Sequence, residues 1–120
     1  MKRILIVDDE PGITLAFKKG LENEGFEVDM FNDPIAALAN FKANFYSLLL
    51  LDVKMPRMNG FELYQEIQKL DNQVKVCFIT AFGVYYEALK EIFPDLKAGC
   101  FIRKPVEIKE LVKRIEAELY

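Results

Sequence analysis

Ser47-Leu48-Leu49-Leu50-Leu51-Asp52-Val53 is the stretch that decides the fold of this 120-residue chain. Four consecutive leucines are far too few for a membrane span, which needs about 20 apolar residues. They also lack the apolar-polar alternation of a strand with one wet face. A short unbroken apolar run reads as a strand covered on both sides, the situation of strands in a parallel sheet sandwiched between helices. A central strand is predicted over 47–53, and helix and strand should alternate on either side of it.

The flanking sequence follows that rule. Arg3 to Val7 reads as a strand. Pro11 to Glu22 reads as a helix, with Ile13, Phe17 and Leu21 four residues apart, proline in the first turn and Gly25 closing it. Phe26, Val28 and Met30 alternate with Glu27 and Asp29, which predicts an outer strand. Asp33-Pro34 supplies an N-cap and a first-turn proline for a second helix carrying an apolar stripe of Ile35, Leu38, Phe41 and Phe45. After a loop bearing Pro56 and Gly60, Phe61 to Leu70 repeats with helical period and stops at Asp71-Asn72. Val74 to Thr80 is another buried run, Val84 to Phe93 a fourth helix stopped by Pro94, Cys100 to Arg103 a short strand, and Glu107 to Leu119 a fifth helix. Five β-α units joined by right-handed crossovers predict an α/β fold, a doubly wound five-stranded parallel sheet, (βα)5, in the flavodoxin-like order 2-1-3-4-5.

Composition limits what such a sheet can carry. At 120 residues and 52% hydrophobic, the chain is expected to form one domain over 1–120, without an attached DNA-binding or catalytic module. A formal charge of -3 and a pI near 5.1 provide no basic footprint for nucleic acid or an anionic membrane. Met1-Lys2-Arg3 precedes only four apolar residues before two aspartates, too little for a signal peptide, and a cytoplasmic location is expected. With no histidine and no Cys-x-x-Cys, neither a zinc site nor a histidine-based catalytic pair can be built. Cys77 and Cys100 fall in apolar strand segments and are expected to be reduced core thiols, with a disulfide between two neighbouring strands as the lesser reading.

The charged residues sit where the apolar runs stop. Asp8 and Asp9 follow Ile4-Leu5-Ile6-Val7, Asp52 follows the leucines, and Lys104 follows Phe101-Ile102-Arg103. The carboxyl ends of parallel strands share one edge, where ligands bind. Three carboxylates brought together raise each other's pKa, and a divalent cation relieves the repulsion; Mg2+, which prefers a few carboxylate oxygens and retained waters, suits the set, and Mn2+ would serve. Taken singly, Asp8 and Asp9 read as loop or capping carboxylates, Lys104 as a solvated lysine and Thr80 as a strand-end hydroxyl.

Together, Val7-Asp8-Asp9-Glu10, the segment from Asp52 through Lys54, Met55, Pro56, Met58 and Asn59 to Gly60, Thr80-Ala81, and Phe101-Ile102-Arg103-Lys104-Pro105 resemble the receiver domains of two-component response regulators over the whole chain. The resemblance implies that Asp52 accepts a phosphoryl group from a histidine kinase or histidine phosphotransfer protein. It implies that Asp9 binds Mg2+ directly, Asp8 mostly through water, with Asp52 and the Lys54 backbone carbonyl completing the metal set. Thr80 and Lys104 would close on the attached phosphoryl group, and Phe101 would be the aromatic switch, although a phenylalanine in a short apolar strand also reads as ordinary core. Pro56 and Gly60 shape the loop, Gly60 by admitting backbone angles that other residues avoid. The Lys104-Pro105 bond is cis by resemblance. The implied output surface is the fourth helix, fifth strand and fifth helix, contacting a downstream protein, with the chain a monomer or weak homodimer.

One segment departs from the pattern. Between Thr80 and Lys104 the chain is a couple of residues longer than most receivers, and Phe82-Gly83-Val84-Tyr85-Tyr86 with Ile92-Phe93-Pro94 is rich in aromatics, either a docking surface or rings packed on the sheet. Kinase choice is expected to depend on an exposed face of the first helix around Thr14, Lys18 and Lys19. Two other classes are weighed against the switch. A Mg2+-dependent phosphatase with an aspartyl nucleophile would place a second aspartate two residues on, where Lys54 stands, so no enzyme turning over a metabolite is expected. A cofactor module would need Gly, Ser or Thr after the first strand, where Asp-Asp-Glu-Pro stands. A degenerate receiver acting as a constitutive binding module is the remaining alternative.

Overall fold

The structure, a computed structural model, describes residues 2–81, 91 and 100–120. In chain order it contains β1 (Arg3–Val7), α1 (Pro11–Asn23), β2 (Glu27–Phe31), α2 (Pro34–Ala39), β3 (Leu48–Asp52), α3 (Gly60–Gln68), β4 (Lys75–Thr80), β5 (Cys100–Arg103) and a C-terminal helix (Ile108–Leu119). The predicted fourth helix and the aromatic segment around it lie outside the described residues.

The sheet is parallel throughout, with the order β2-β1-β3-β4-β5. β3 is central, as its leucines require, and Leu48 to Leu51 are all fully buried. Their side chains alternate across the sheet. Leu48 and Leu50 join Ile4, Ile6, Ile79 and Ile102 in a core closed by Phe17 and Leu21 of α1 and Leu111 and Ile115 of the C-terminal helix. Leu49 and Leu51 join Leu5, Val7, Val76 and Phe78 in a second core closed by Ala37 of α2 and by Phe61, Leu63 and Ile67 of α3. With both faces filled, the polar ends of the strands are the places left for chemistry.

Three local expectations are corrected. α2 ends at Ala39, so the four-residue stripe does not form: Ile35 and Phe45 are exposed. Asn40 folds its side chain back onto the Ala36 carbonyl, and Asn44 takes the left-handed conformation (φ 61°) with its N–H donating to Asp71 Oδ2. These polar groups offer the backbone an alternative to further helix. Thr14, expected on an exposed recognition face, is fully buried, and its hydroxyl donates to the Pro11 carbonyl.

Cys77 and Cys100, expected as separate thiols, are joined in a disulfide. They are direct partners in the β4–β5 register, on the same sheet face, with Cα atoms 4.6 Å apart. That separation lies inside the range a disulfide spans. A spacing of 23 residues across an intervening segment does not reveal such a pairing.

Candidate phosphoacceptor and cation site

β1, β3 and β4 end at one edge, and their last residues or the residues just beyond face one another. Asp52, the last residue of β3, and Asp8, just past β1, are almost fully buried. The Lys104 ammonium lies 2.8 Å from Asp8 Oδ2, 3.6 Å from Asp52 Oδ2 and 3.3 Å from Glu10 Oε1. Asp8, Asp9, Glu10 and Asp52 each present a carboxylate oxygen within 4.8 Å of the others. Over them opens a cavity of about 520 Å³ lined by Asp9, Glu10, Asp52, Lys54, Met55, Pro56, Ala81 and Lys104.

Four carboxylates gather around the Lys104 ammonium, so negative charge predominates among the described residues of the cluster. Burial, then the Asp8 charge, pushes the Asp52 carboxyl up to about 7; Lys104 opposes the rise, and Asp9 adds to it. For Lys104, burial works downward, but its contact with Asp8 and the Asp52 charge outweigh it and raise its pKa. Asp8 Oδ1 accepts from the Glu10 N–H at 3.0 Å, whereas Oδ2 is buried without a hydrogen-bond partner, the Lys104 ammonium meeting it as an ion pair only. A buried acceptor met only by the lysine ion pair, beside three further hard oxygen donors, fits a divalent cation.

The supports of these residues follow from local sequence. Gly60 begins α3, where a Cβ would fall against the carbonyl oxygen of Asp52, and its N–H donates to the Val53 carbonyl at 2.9 Å. Its φ is not positive, so the glycine is needed for close approach and not, as expected, for unusual backbone angles. Asn59 caps α3 in a reciprocal box with Glu62, each side chain bonded to the other's N–H at 2.9 Å. The Asn59-x-x-Glu62 spacing was present as a signal and went unread. Pro56 lines the cavity, and the Arg57 side chain pairs with Asp33 at 2.5 Å, tying the loop after β3 to the start of α2.

Thr80, buried, ends β4, and its carbonyl accepts from the Lys104 N–H at 2.8 Å, so the β4–β5 ladder delivers the lysine to the cluster. The Lys104–Pro105 peptide is cis. Phe101 is half-buried and stacked on Phe78 at 5.4 Å, with Phe61 at 6.2 Å, on the sheet face opposite the Cys77–Cys100 bond. Its carbonyl accepts from Arg114 at 2.8 Å. Every side chain expected at the strand ends, Asp8, Asp9, Asp52 and Lys104, is brought together, and Lys54 borders the same cavity. Glu10, read only as part of a motif, also enters the cluster, and its position directly after the aspartate pair was the available signal.

Comparison with known proteins agrees with this geometry. The transcriptional regulatory protein CpxR homolog of Haemophilus influenzae is 38% identical over 119 residues, 99% of this chain and 51% of that protein. The chain spans about half the length of the first curated relatives it matches. The response regulator receiver protein CpdR of Brucella abortus is 34% identical and matches over nearly its whole length, 99% of this chain and 98% of that one. Among solved structures, the response regulator TrrA of Thermotoga maritima, in complex with Mg2+ and BeF, superposes with a TM-score of 0.81 at 32% identity over 98% of both chains. Among the described residues, no helix is long and apolar enough to cross a membrane. Residues 4–116 match the response regulator receiver domain, and the chain belongs to that family, the receiver part of two-component signalling.

Proposed function

We propose that this receiver domain is a phosphorylation-dependent switch in which Asp52 takes a phosphoryl group from a phosphohistidine on a histidine kinase or phosphotransfer protein. The observation that carries the reading is the buried Asp52 carboxylate held among Asp8, Asp9, Glu10 and Lys104 at the mouth of an open cavity. A carboxylate oxygen of Asp52 attacks phosphorus as the phosphorus–nitrogen bond to the donor imidazole breaks. The electron pair goes to the imidazole nitrogen and an acyl phosphate forms. Lys104 offsets charge on the nucleophile before transfer and on the phosphoryl oxygens after it. Asp8, Asp9 and Asp52 would hold Mg2+, with the Lys54 carbonyl as a further ligand, and the bound ion would neutralise charge and align the transfer. The same donor set admits Mn2+.

After transfer, Thr80 and Lys104 bond the phosphoryl oxygens. A ligand shifts a two-state equilibrium only by its differential affinity, and contacts made to the phosphoryl group alone supply that difference. Two charge-assisted hydrogen bonds at roughly 1.5–3 kcal/mol each approach the roughly 5.5 kcal/mol needed to move from 1:99 to 99:1. Phe101, packed on Phe78 beside β4, is placed to report the movement of Thr80 to a downstream protein on the β5 and C-terminal helix side. Two residues after Asp52, where an aspartyl phosphatase would carry a second aspartate, stands Lys54, which favours a chain that catalyses its own phosphorylation and slow dephosphorylation over one that turns over a metabolite. A cytoplasmic protein, monomeric or weakly dimeric and without direct nucleic-acid contact, fits this role.

The test is intact-mass measurement after incubation with phosphoramidate, with and without Mg2+, for the parent and Asp52→Asn. A single Mg2+-dependent phosphoryl adduct, lost in Asp52→Asn, is expected. No adduct from phosphoramidate or from a phosphorylated histidine protein would overturn the reading and leave a constitutive binding module.

A further inference from the structure

The segment Asp8-Asp9-Glu10-Pro11 carries three of the four clustered carboxylates, and like charges would tend to splay it. Two side chains that no motif points to bracket it from behind. Asn32 Nδ2, just past β2, donates to the carbonyl of Asp8 at 2.8 Å and to Thr14 Oγ1 at 2.9 Å. Thr14 Oγ1, fully buried on α1, donates in turn to the carbonyl of Pro11 at 2.9 Å. The resulting chain of hydrogen bonds runs from the first carbonyl of the acidic segment to its last.

Its direction is settled by chemistry. The Asp8 and Pro11 carbonyls only accept, so the Asn32 group facing Asp8 must be the amide nitrogen, and the threonine hydroxyl gives its proton to Pro11 and accepts from Asn32. Asp8 is thereby held at three atoms: its N–H donates to the Phe31 carbonyl at 3.2 Å, its carbonyl accepts from Asn32, and Oδ1 accepts from the Glu10 N–H. Oδ2, which no hydrogen bond of the segment engages, faces the cluster, where it pairs with Lys104.

We propose that Asn32 and Thr14 are positioning residues that hold the Asp8–Pro11 segment in the cation-competent arrangement, so that carboxylate repulsion is met before a divalent cation arrives. The proposal rests on the cation reading of the site given above. Groups that fix metal ligands from outside typically account for about tenfold or more in affinity. Because one chain of bonds carries the effect, breaking it at either link should do the same harm as breaking it at both.

The experiment measures the Mg2+ dissociation constant by calorimetry for the parent, Asn32→Ala, Thr14→Val, the double variant and Thr14→Ser. Amide hydrogen exchange at Glu10 is followed in the cation-free proteins. Asn32→Ala and Thr14→Val should each weaken Mg2+ about tenfold, the double variant no further. Thr14→Ser, which keeps the hydroxyl, should stay within about twofold. Glu10 exchange should quicken in Asn32→Ala, since the Asp8 carboxylate that accepts its N–H is no longer fixed. Should Thr14→Val fail to fold, Asn32→Ala carries the test alone, as Asn32 lies at the exposed end of β2. Parent-like Mg2+ affinity and Glu10 exchange in a folded Asn32→Ala would overturn the proposal while leaving the switch reading intact. A parent that binds no Mg2+ would overturn both.

Discussion

Clusters of charge sit at both ends of this sheet, and they are built on opposite terms. At the amino edge, Arg3 pairs with Glu27, lies 3.7 Å from Asp29 and stacks over the Phe45 ring at 4.3 Å, while the Tyr46 hydroxyl donates to Asp29 at 2.8 Å. All of these charges remain partly in water. At the carboxyl edge, the Lys104 ammonium reaches Asp8, Glu10 and Asp52, with Lys54 bordering the same cavity; the Lys104 side chain is one-tenth exposed and the two central aspartates are almost wholly buried. One edge is a tie whose parts satisfy each other. The other gathers buried charge of one sign, the kind of cluster that perturbs the pKa values of its members, as it does for Asp52.

Removing the Lys104 cation should therefore have the largest effect. Lys104→Met leaves buried carboxylates unpaired and should cost about 3–5 kcal/mol at pH 8 without divalent ions. Saturating Mg2+ should return much of the loss. Urea unfolding of parent and variant with and without Mg2+ measures both, and equal losses in the two conditions would mean that Mg2+ does not take over the role of Lys104.

Next in size is the pH dependence of the cation-free protein. The folded Asp52 carboxyl, pushed up to about 7 from an ordinary 3.8, binds its proton more tightly than the unfolded chain does. Between those values the folded state carries more protons, so stability falls as pH rises, and the full penalty is present above 7. It amounts to about 2–4 kcal/mol at pH 8. Asp52→Asn should be the more stable protein at pH 8 by about that amount, and the two should converge toward pH 4. A difference that stays constant between pH 4 and pH 8 would show that Asp52 titrates normally.

Two glycines extend the contrast to the backbone. A Cβ at Gly60 meets the Asp52 carbonyl, which cannot yield without moving Asp52 itself. A Cβ at Gly20 meets Cγ2 of the β-branched Ile108, so the strain falls between α1 and the C-terminal helix, away from Asp52, and is partly offset by the roughly 1 kcal/mol alanine gains over glycine inside a helix. Gly60→Ala should destabilise by about 2–3 kcal/mol and slow phosphorylation, and Gly20→Ala by about 1 kcal/mol or less with phosphorylation unchanged. Thermal unfolding and the phosphoramidate rate separate the two cases.

These residues also show what could be read from the chain and what could not. The sheet was legible because unbroken apolar runs identify strands covered on both faces and five β-α units with right-handed crossovers favour the order 2-1-3-4-5, and the cluster because a charge at the end of such a run must lie at the sheet edge. Asp8, Asp9, Asp52 and Lys104 needed no more than that. Features that depend on two distant segments meeting were hidden. The Cys77–Cys100 bond requires the β4–β5 register, the burial of Thr14 requires Asn32 to reach it from β2, and the close approach at Gly60 requires α3 to start against β3. The stripe predicted for α2 failed differently: Ile35, Leu38, Phe41 and Phe45 keep a helical spacing, but Asn40 and Asn44 end the helix first.

The smallest effects belong to the amino edge. Burial and the hydrogen bond to Asp29 raise the Tyr46 pKa, so its hydroxyl stays a donor throughout the ordinary pH range. Tyr46→Phe loses that one bond, and Arg3→Met loses ion pairs whose carboxylates stand well out in solvent. Each should cost about 1 kcal/mol or less, and the Arg3 loss should shrink as salt is added. Neither should change the Mg2+ dissociation constant or the phosphorylation rate, because a tie whose partners satisfy each other has no charge left to lend across the sheet. If Arg3→Met altered Mg2+ affinity as strongly as Asn32→Ala, the two edges would be coupled through β1 and the contrast between them would fail.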